Sequence, residues 1–571
     1  MSKKVAILGG GVAGMSAAHE LITRGFEVEI YEKQPIYAGG KARSVDVPDT
    51  NTQNPNLYLP GEHGFRFFPG FYQHLFATLK TIPFGTEGKT CFDNLVTTET
   101  MQILQTGEVP ITMPLHFPES LEDIEEIFMS FLQVSKELTK EEILFFSARV
   151  WQLMTSCKDR FFDEYEQVGW WEYTEADRFS NDYRKLFVEG ITRSLVAAKA
   201  RLASTNTVGT IFLQLIYTMV SIKKQNTDNV LNAPTNDAWL IPWYEYLTQN
   251  GVVYNHGYLV NAINMNGDEI ESVSVQNETT KEITQINADY YLLATPVEVA
   301  AQLINQDMLN ADASLENIIQ LSPNVEWMNG IQYYLDVPFD MHKGHTIYSD
   351  SNWALTSISQ IQFWGDYDLS ERYNGKVKGI LSVDISDWDS LGNFNNKAAK
   401  DCTLEEIKEE VWKQLQEEIN TKGQEQLTDD MLQFTYLDSD IQPLINSKSG
   451  KLESKLINEK LSPADFAKLQ EVINKEPLLV NQINTWTLRP NTYTNIPNLF
   501  LASDYIKTNT NLATMEGANE AARRAVNNII TASGAPKNYC EIYKMHNPFI
   551  LEILQSRDKI RWEKGLSWKK I

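Results

Sequence analysis

The residues best spaced to do chemistry are three glycines. Gly9, Gly11 and Gly14 form G-x-G-x-x-G directly after the apolar run Val5-Ala6-Ile7-Leu8, and a helix-forming stretch from Ala17 to Ile22 follows before Gly25. A second strand-like run, Val28-Glu29-Ile30-Tyr31, ends at Glu32, 18 residues beyond Gly14. Gly9 permits a tight turn, Gly11 lets backbone amides approach a pyrophosphate, and Gly14 lets the helix pack closely on the strand. The helix N-terminus then turns its partial positive charge toward the phosphates, while Glu32 is placed to accept hydrogen bonds from a ribose diol. A glycine string alone describes many loops. With strand, helix and acid in register, it predicts dinucleotide binding.

A second glycine pair, in Gly39-Gly40-Lys41-Ala42-Arg43-Ser44, offers another close backbone approach with cations beside it. Next comes Gly61-Glu62-His63-Gly64-Phe65-Arg66-Phe67-Phe68-Pro69-Gly70-Phe71-Tyr72. Glu62 and His63 are the titratable pair embedded in this motif, and with Arg66 they are the candidate catalytic residues: a proton acceptor, or charge that stabilises a cation. The structural alternative has His63 capping a loop or bonding a phosphate and Arg66 pairing with a surface acid. His342 and His345 lack nearby carboxylates at ligand spacing, and Cys91, Cys157, Cys402 and Cys540 lie far apart, so neither a metal site nor a disulfide framework is expected.

Other segments must return to this turn. Val252-Val253-Tyr254, Tyr258-Leu259-Val260 and Ser272-Val273-Ser274-Val275 read as short strands, and Ala288 to Pro296 reads as a further strand ending in a loop. Asn498-Leu499-Phe500-Leu501-Ala502-Ser503-Asp504 is an apolar strand ending at an acid. The small-residue helix from Ala513 to Ala525 follows, able to lie close to the cofactor and steady negative charge at its N-terminus. Residues 96–240 are aromatic and helix-rich, with Phe145-Phe146, Trp151, Phe161-Phe162, Trp170-Trp171 and the apolar stretch Val208 to Ile222; they would line a greasy tunnel or simply fill a core. Thr403-x-x-Glu406 opens an amphipathic helix over 403–420 with Leu404, Ile407, Val411, Leu415 and Ile419 on one face.

The run Val5 to Ser44 resembles the flavoprotein superfamily that includes amine oxidases and carotenoid desaturases, as do the β-meander with its return strand and the string Asp504 with Thr514-Met515-Glu516-Gly517. Ser503 stands where that family commonly has glycine. The resemblance implies an α/β fold: a two-domain FAD oxidoreductase whose Rossmann-like FAD-binding domain (1–95, 241–300 and 481–535) carries an inserted mixed α+β substrate domain (96–240 and 301–480), with a basic amphipathic tail over 536–571. It places FAD, held non-covalently since no cysteine falls in the C-terminal signature, against Gly9, Gly11, Val12, Ala13, Gly14, Glu32, Lys33, Gly39, Gly40, Lys41, Arg43, Gly64, Val260, Thr295, Asp504, Thr514 and Met515. Within the superfamily, the Gly61–Tyr72 string is similar to that of plant-type carotenoid desaturases and hydroxysqualene dehydroxylases, with altered spacing. The stretch Val325 to Tyr333 holds no lysine of the kind amine oxidases keep near the flavin. The resemblance therefore implies desaturation, isomerisation or dehydroxylation of a lipophilic isoprenoid or polyene. The alternatives are amine or amino-acid oxidation, a fatty-acyl-directed flavoenzyme, or a lipid-binding protein with structural FAD.

Composition bounds the partners. Over 571 residues, Lys+Arg 50 against Asp+Glu 75 leaves −25, which argues against nucleic acid. Apolar residues at 42% argue against wholesale disorder. The N-terminus runs straight into a strand and the apolar stretch Val208 to Ile222 is short for a membrane span, so a cytoplasmic protein is expected. From Pro548 onward the charge reverses: Arg557, Lys559, Arg561, Lys564, Lys569 and Lys570 face Glu552, Asp558 and Glu563, six against three, with Trp562 and Trp568 interspersed. Such a tail suits peripheral contact with the cytoplasmic membrane surface, or docking on its own domain. Oligomeric state, electron acceptor and exact substrate stay open.

Overall fold

The computed structural model describes all residues except 1, 99, 108–110, 115–136, 197, 221–227, 366, 370, 421–424, 445–470, 537 and 570–571. Ile222 and Lys570 thus lie outside the described residues. One end of the molecule is built on β1 (Lys4–Leu8), α1 (Val12–Ile22), β2 (Glu27–Glu32), β3 (Val253–His256), β4 (Tyr290–Leu293), β5 (Leu499–Leu501) and α2 (Met515–Ser533). The five strands form one sheet in the order β3-β2-β1-β4-β5, every neighbouring pair parallel. A parallel sheet is covered on both faces, which is why β1 has no polar residue after Lys4 and Val5 to Leu8 are wholly buried. Val253–His256, read from sequence as part of a meander, instead closes the edge of this sheet against β2. The antiparallel meander consists of Tyr258–Asn266, Glu269–Asn277 and Ile283–Ile286.

Small residues on α2 (Ala518, Ala522 and Ala525) are buried in the same core cluster as α1, against which α2 lies, and Asn519 donates to Ser16 Oγ at 2.9 Å. Thr514 caps α2 by accepting from Gly517 N at 3.1 Å, and Gly534 in the left-handed region (φ +67°) ends it. Glu516, in the first turn, is buried and reaches to the helix Gln73–Leu79. It accepts from His74 N at 2.9 Å, Leu75 N at 2.8 Å and His74 Nδ1 at 2.7 Å, while His74 Nε2 accepts from Tyr543 N at 2.8 Å. This chain of bonds fixes the imidazole proton on Nδ1. Replacing Glu516 with Ala strands three donors in a buried place, and urea unfolding should show a loss of about 2–4 kcal/mol.

The second layer is a seven-stranded mixed sheet in the order Leu432–Leu437, Asn329–Leu335, Gly379–Ile385, Leu355–Ser359, Gly344–Tyr348, Thr100–Leu104, Ile111–Pro114. Helix Leu404–Ile419 covers one face. Thr403 and Glu406 form the expected capping box, and Ile407, Val411, Leu415 and Ile419 bury against Ile331, Tyr333, Leu335, Leu381, Val383 and Ile385. Because strand side chains alternate, Gln332, Ser382 and Asp384 are left to the opposite face. A helical group, including Lys140–Thr155, Lys158–Asp163 and Thr205–Val220, completes the layer. Among its aromatics, Phe146, Phe161 and Trp170 are packed into the core, whereas Phe187 and Phe212 reach the cavity described next.

Candidate active site

A cavity of about 620 Å³ lies between the two layers. Its wall at the parallel sheet is made by two crossing glycine turns. Gly9 has φ +112°, and a Cβ there would sit 2.8 Å from the Ala294 carbonyl oxygen. Gly39 (φ +93°) donates to Gly10 O at 3.0 Å, and Gly40 lies so close to Gly11 that a Cβ on it would stand 3.0 Å from the Gly11 Cα. Gly14 does not reach the cavity. A Cβ on it would fall 2.0 Å from the Gly9 carbonyl oxygen, so this glycine serves helix-on-turn packing. Gly11, Val12 and Ala13, at the N-terminus of α1, line the cavity, and no side chain caps that terminus. Glu32 lies beside them, its two oxygens accepting from Gly10 N and Gln34 N at 2.8 Å each; burial raises its pKa.

The cations around this turn are already engaged. Lys33 pairs with Glu476 at 2.6 Å, Lys41 with Glu298 at 3.2 Å and the Pro477 carbonyl, and Arg43 with Asp440 at 3.0 Å. All three line the cavity, as do Val260, Thr295, Asp504, Thr514 and Met515. The Thr295 hydroxyl is buried without a hydrogen-bond partner. Gly64 does not line the cavity; a Cβ there would stand 2.6 Å from Asp384 Oδ1, so the glycine lets its loop seat against the strand.

The three candidate catalytic residues separate. Glu62 does not line the cavity: its carboxylate accepts from Thr235 N and Thr235 Oγ1, both at 3.0 Å, and burial pushes it up to about 7. His63 faces the cavity, with Nδ1 2.6 Å from Asp438 and 3.8 Å from Asp440. These three groups are near enough together to share an ion, but the Arg43 guanidinium already stands on Asp440. Burial opposes ionisation of Asp438, yet the His63 charge and hydrogen bond outweigh it and lower its pKa; burial and the Asp438 charge raise that of Asp440. Arg66 also lines the cavity, held by the carbonyls of Ala42 at 3.1 Å and Lys41 at 2.8 Å rather than by a surface acid.

Sequence reasoning missed two carboxyls that line the same cavity. Asp384, on the strand Gly379–Ile385, and Asp228, at the start of the strand Asp228–Leu231, each keep Oδ1 buried without a partner. Burial pushes both up to about 7, in Asp384 against the opposing pull of Arg66 and His63. The signal in sequence was an acid inside the apolar run Leu381-Ser382-Val383-Asp384-Ile385. His345 completes the wall between Phe65, stacked at 5.2 Å, and Phe67, edge-on at 4.6 Å, and burial lowers it to about 3. These shifts carry a pH consequence. From about pH 4 to 7 the folded protein keeps protons on Asp228, Asp384 and Glu62 that the unfolded chain has released, so stability falls as pH rises through that window. Each group contributes up to about 1.4 kcal/mol per pH unit. Thermal unfolding of Asp228→Asn should show a shallower decline than the parent protein.

Residues 7–82 match the family model for an NAD(P)-binding Rossmann-like domain. The zeta-carotene desaturase of Zea mays is 40% identical over 79 residues, 14% of this chain and 12% of that protein. The carotenoid phi-ring synthase of Chlorobaculum tepidum is 27% identical over 175 residues, 30% of this chain and 24% of that protein. The matches thus span a quarter or less of these curated relatives. Over nearly its whole length the chain superposes on the structure of a putrescine oxidase: TM-score 0.57, 11% identity, 93% of this chain and 99% of that one. The chain shares its overall fold with that oxidase, and its first part is a Rossmann-like nucleotide-binding unit. In such a fold a dinucleotide belongs along the glycine turns, and the residues present fit one: an uncapped helix N-terminus, two turns whose glycines leave room for a backbone-close ligand, and an orphaned Thr295 hydroxyl. Among the described residues no helix is long and apolar enough to cross a membrane.

Proposed function

We propose that this protein is an FAD-dependent oxidoreductase acting on a lipophilic isoprenoid or polyene, by desaturation, isomerisation or dehydroxylation. One observation carries the reading. The cavity lined by the glycine turns is also lined by Met101, Ile103, Leu186, Phe187, Phe212, Leu215, Ile216, Ile347 and Leu355, so a dinucleotide cradle and a greasy chamber are continuous. The carotenoid-acting names of the sequence relatives support the same substrate class.

FAD bound along the cradle would supply two-electron redox chemistry at its flavin ring. The chain's residues divide the remaining work. Gly11, Val12 and Ala13 would present amides to the pyrophosphate, and Glu32 would take the ribose hydroxyls on oxygens already oriented by Gly10 N and Gln34 N. Thr514 and Met515 aim the N-terminus of α2 into the cavity, where its partial charge favours an electron-rich ligand. Apolar side chains exclude water and align the substrate. Asp384 Oδ1, without a partner and pushed up to about 7, takes or returns a proton near neutral pH, while Arg66 holds a positive charge on the same wall.

Incubation with an isoprenoid and polyene extract, with quinone, oxygen or nicotinamide as acceptor, should give products changed in hydrogen count, double-bond geometry or hydroxylation by mass spectrometry and chromatography. Unchanged lipids under every acceptor would refute the reading. A second reading, amine oxidation, draws on the putrescine oxidase neighbour and on Asp228 and Asp384, whose carboxylates would pair with an ammonium. Turnover of amines in place of lipids would decide for it.

A further inference from the structure

The last helix of the chain, Phe549–Trp562, has two working faces. One docks it. Leu551 and Asp558 are buried, Asp558 accepts from Cys157 N, Arg160 Nε and Arg160 Nη2 at 2.9 Å each, and Gln555 Nε2 donates to Met154 O at 2.9 Å. Trp562 Nε1 donates to Asp163 at 3.0 Å and Trp568 Nε1 to Thr155 Oγ1 at 3.0 Å. Both tryptophans therefore serve docking.

The other face is apolar and faces outward. Phe549 is 77% exposed, Ile550 68%, Ile553 52% and Ile560 54%, with Leu566 just beyond the helix at 45%. Phe549, Ile553 and Ile560 stand at i, i+4 and i+11, one stripe within about 40° on a helix of about 3.6 residues per turn. Elsewhere among the described residues, exposed large apolar side chains are scattered over many elements, from Ile36 to Tyr539. Arg557 is exposed on the helix, and Lys564 and Lys569 are exposed just beyond its end, while Lys559 pairs with Asp159 at 3.3 Å; the exposed acids of this segment are Glu552 and Glu563. In a chain of net charge −25, this is a local reversal of sign.

We infer that the outer face of Phe549–Trp562 is a peripheral binding site for an anionic lipid surface. The apolar stripe enters the headgroup–acyl boundary and the cations meet lipid phosphates. Nothing in the docking of the helix uses the stripe, so it is free to be changed without loosening the fold. The inference stands on this surface alone and is independent of the reaction proposed above.

Co-sedimentation of the full chain with phosphatidylcholine vesicles, with and without about one-third phosphatidylglycerol, tests it. The protein should pellet with the anionic vesicles and far less with the neutral ones, and salt at about 0.5 M should weaken binding. Phe549→Glu with Ile553→Glu should lower partitioning at least about tenfold while leaving the thermal transition unchanged. Arg557→Glu with Lys564→Glu should lower it on anionic vesicles alone. Equal pelleting of parent and variants would overturn the inference. So would lipid-free self-association of the parent that the Phe549→Glu, Ile553→Glu variant abolishes, since that would make the stripe an interface between copies.

Discussion

A Gly11→Ala protein should fold as the parent does and yet hold its dinucleotide about 30- to 100-fold less tightly, a difference of about 2–3 kcal/mol. Gly11 has ordinary extended angles (φ −71°, ψ −173°), and a Cβ there would meet only the Gly40 Cα, at 3.8 Å. The methyl therefore costs the empty turn little. It lies, however, where the proposed cofactor would need its pyrophosphate to approach the backbone amides of the turn. The neighbouring glycines behave differently. At Gly9 a side chain meets both a left-handed φ of +112° and the Ala294 carbonyl at 2.8 Å, and at Gly10 it would strike the Tyr254 hydroxyl at 1.9 Å, so Gly9→Ala and Gly10→Ala should lose stability as well as cofactor. Unfolding of the cofactor-free proteins, with FAD titration by fluorescence, separates the cases. FAD affinity unchanged in Gly11→Ala would remove the glycine turn from the cofactor's path.

Asp384→Asn should lower turnover at least about a hundredfold, with bound flavin per chain unchanged. The parent's rate should show an ionisation near 7, where burial places Asp384, and the variant should lose that limb of the profile. Glu62, His63 and Arg66 act on Asp384 through their charges, and of these Glu62 is also pushed up to about 7. Glu62→Gln is therefore the needed comparison: it should keep the pH limb, because Glu62 is tied to Thr235 away from the cavity. The same Asp384→Asn change should raise the unfolding temperature above pH 7, since it removes a buried charge that the folded state tolerates poorly there. Loss of activity with gain of stability distinguishes a group kept for chemistry from one kept for structure.

The parts legible in the sequence are those whose chemistry is local. Gly9, Gly11 and Glu32 lie in one β-α-β stretch, and the glycine turn, the strand and the acid each show in spacing alone. The capping box at Thr403 and the apolar stripe of its helix are local in the same way. The reacting end was less legible because it is assembled from afar. His63 meets Asp438, a partner 375 residues on, and Asp384 reaches the cavity only because strand alternation turns it away from the helix behind Val383 and Ile385. Glu62 ends the strand Leu59–Glu62 and bonds Thr235 away from the cavity, whereas His63, in the bend just beyond, faces it. Lys33, Lys41 and Arg43 were legible as cations near the turn, but not as cations already paired with Glu476, Glu298 and Asp440.

The proposed function requires one cavity to hold FAD against a lipophilic substrate. An anaerobic absorption spectrum of the purified, FAD-loaded protein, recorded before and after adding a mixed isoprenoid and polyene extract, tests it most directly. The expected result is an oxidised flavin spectrum that the extract perturbs, bleaching where the substrate is oxidised and shifting where it is bound for isomerisation. A protein that neither contains a flavin nor takes one up, or a bound flavin whose spectrum no lipid alters, would contradict it.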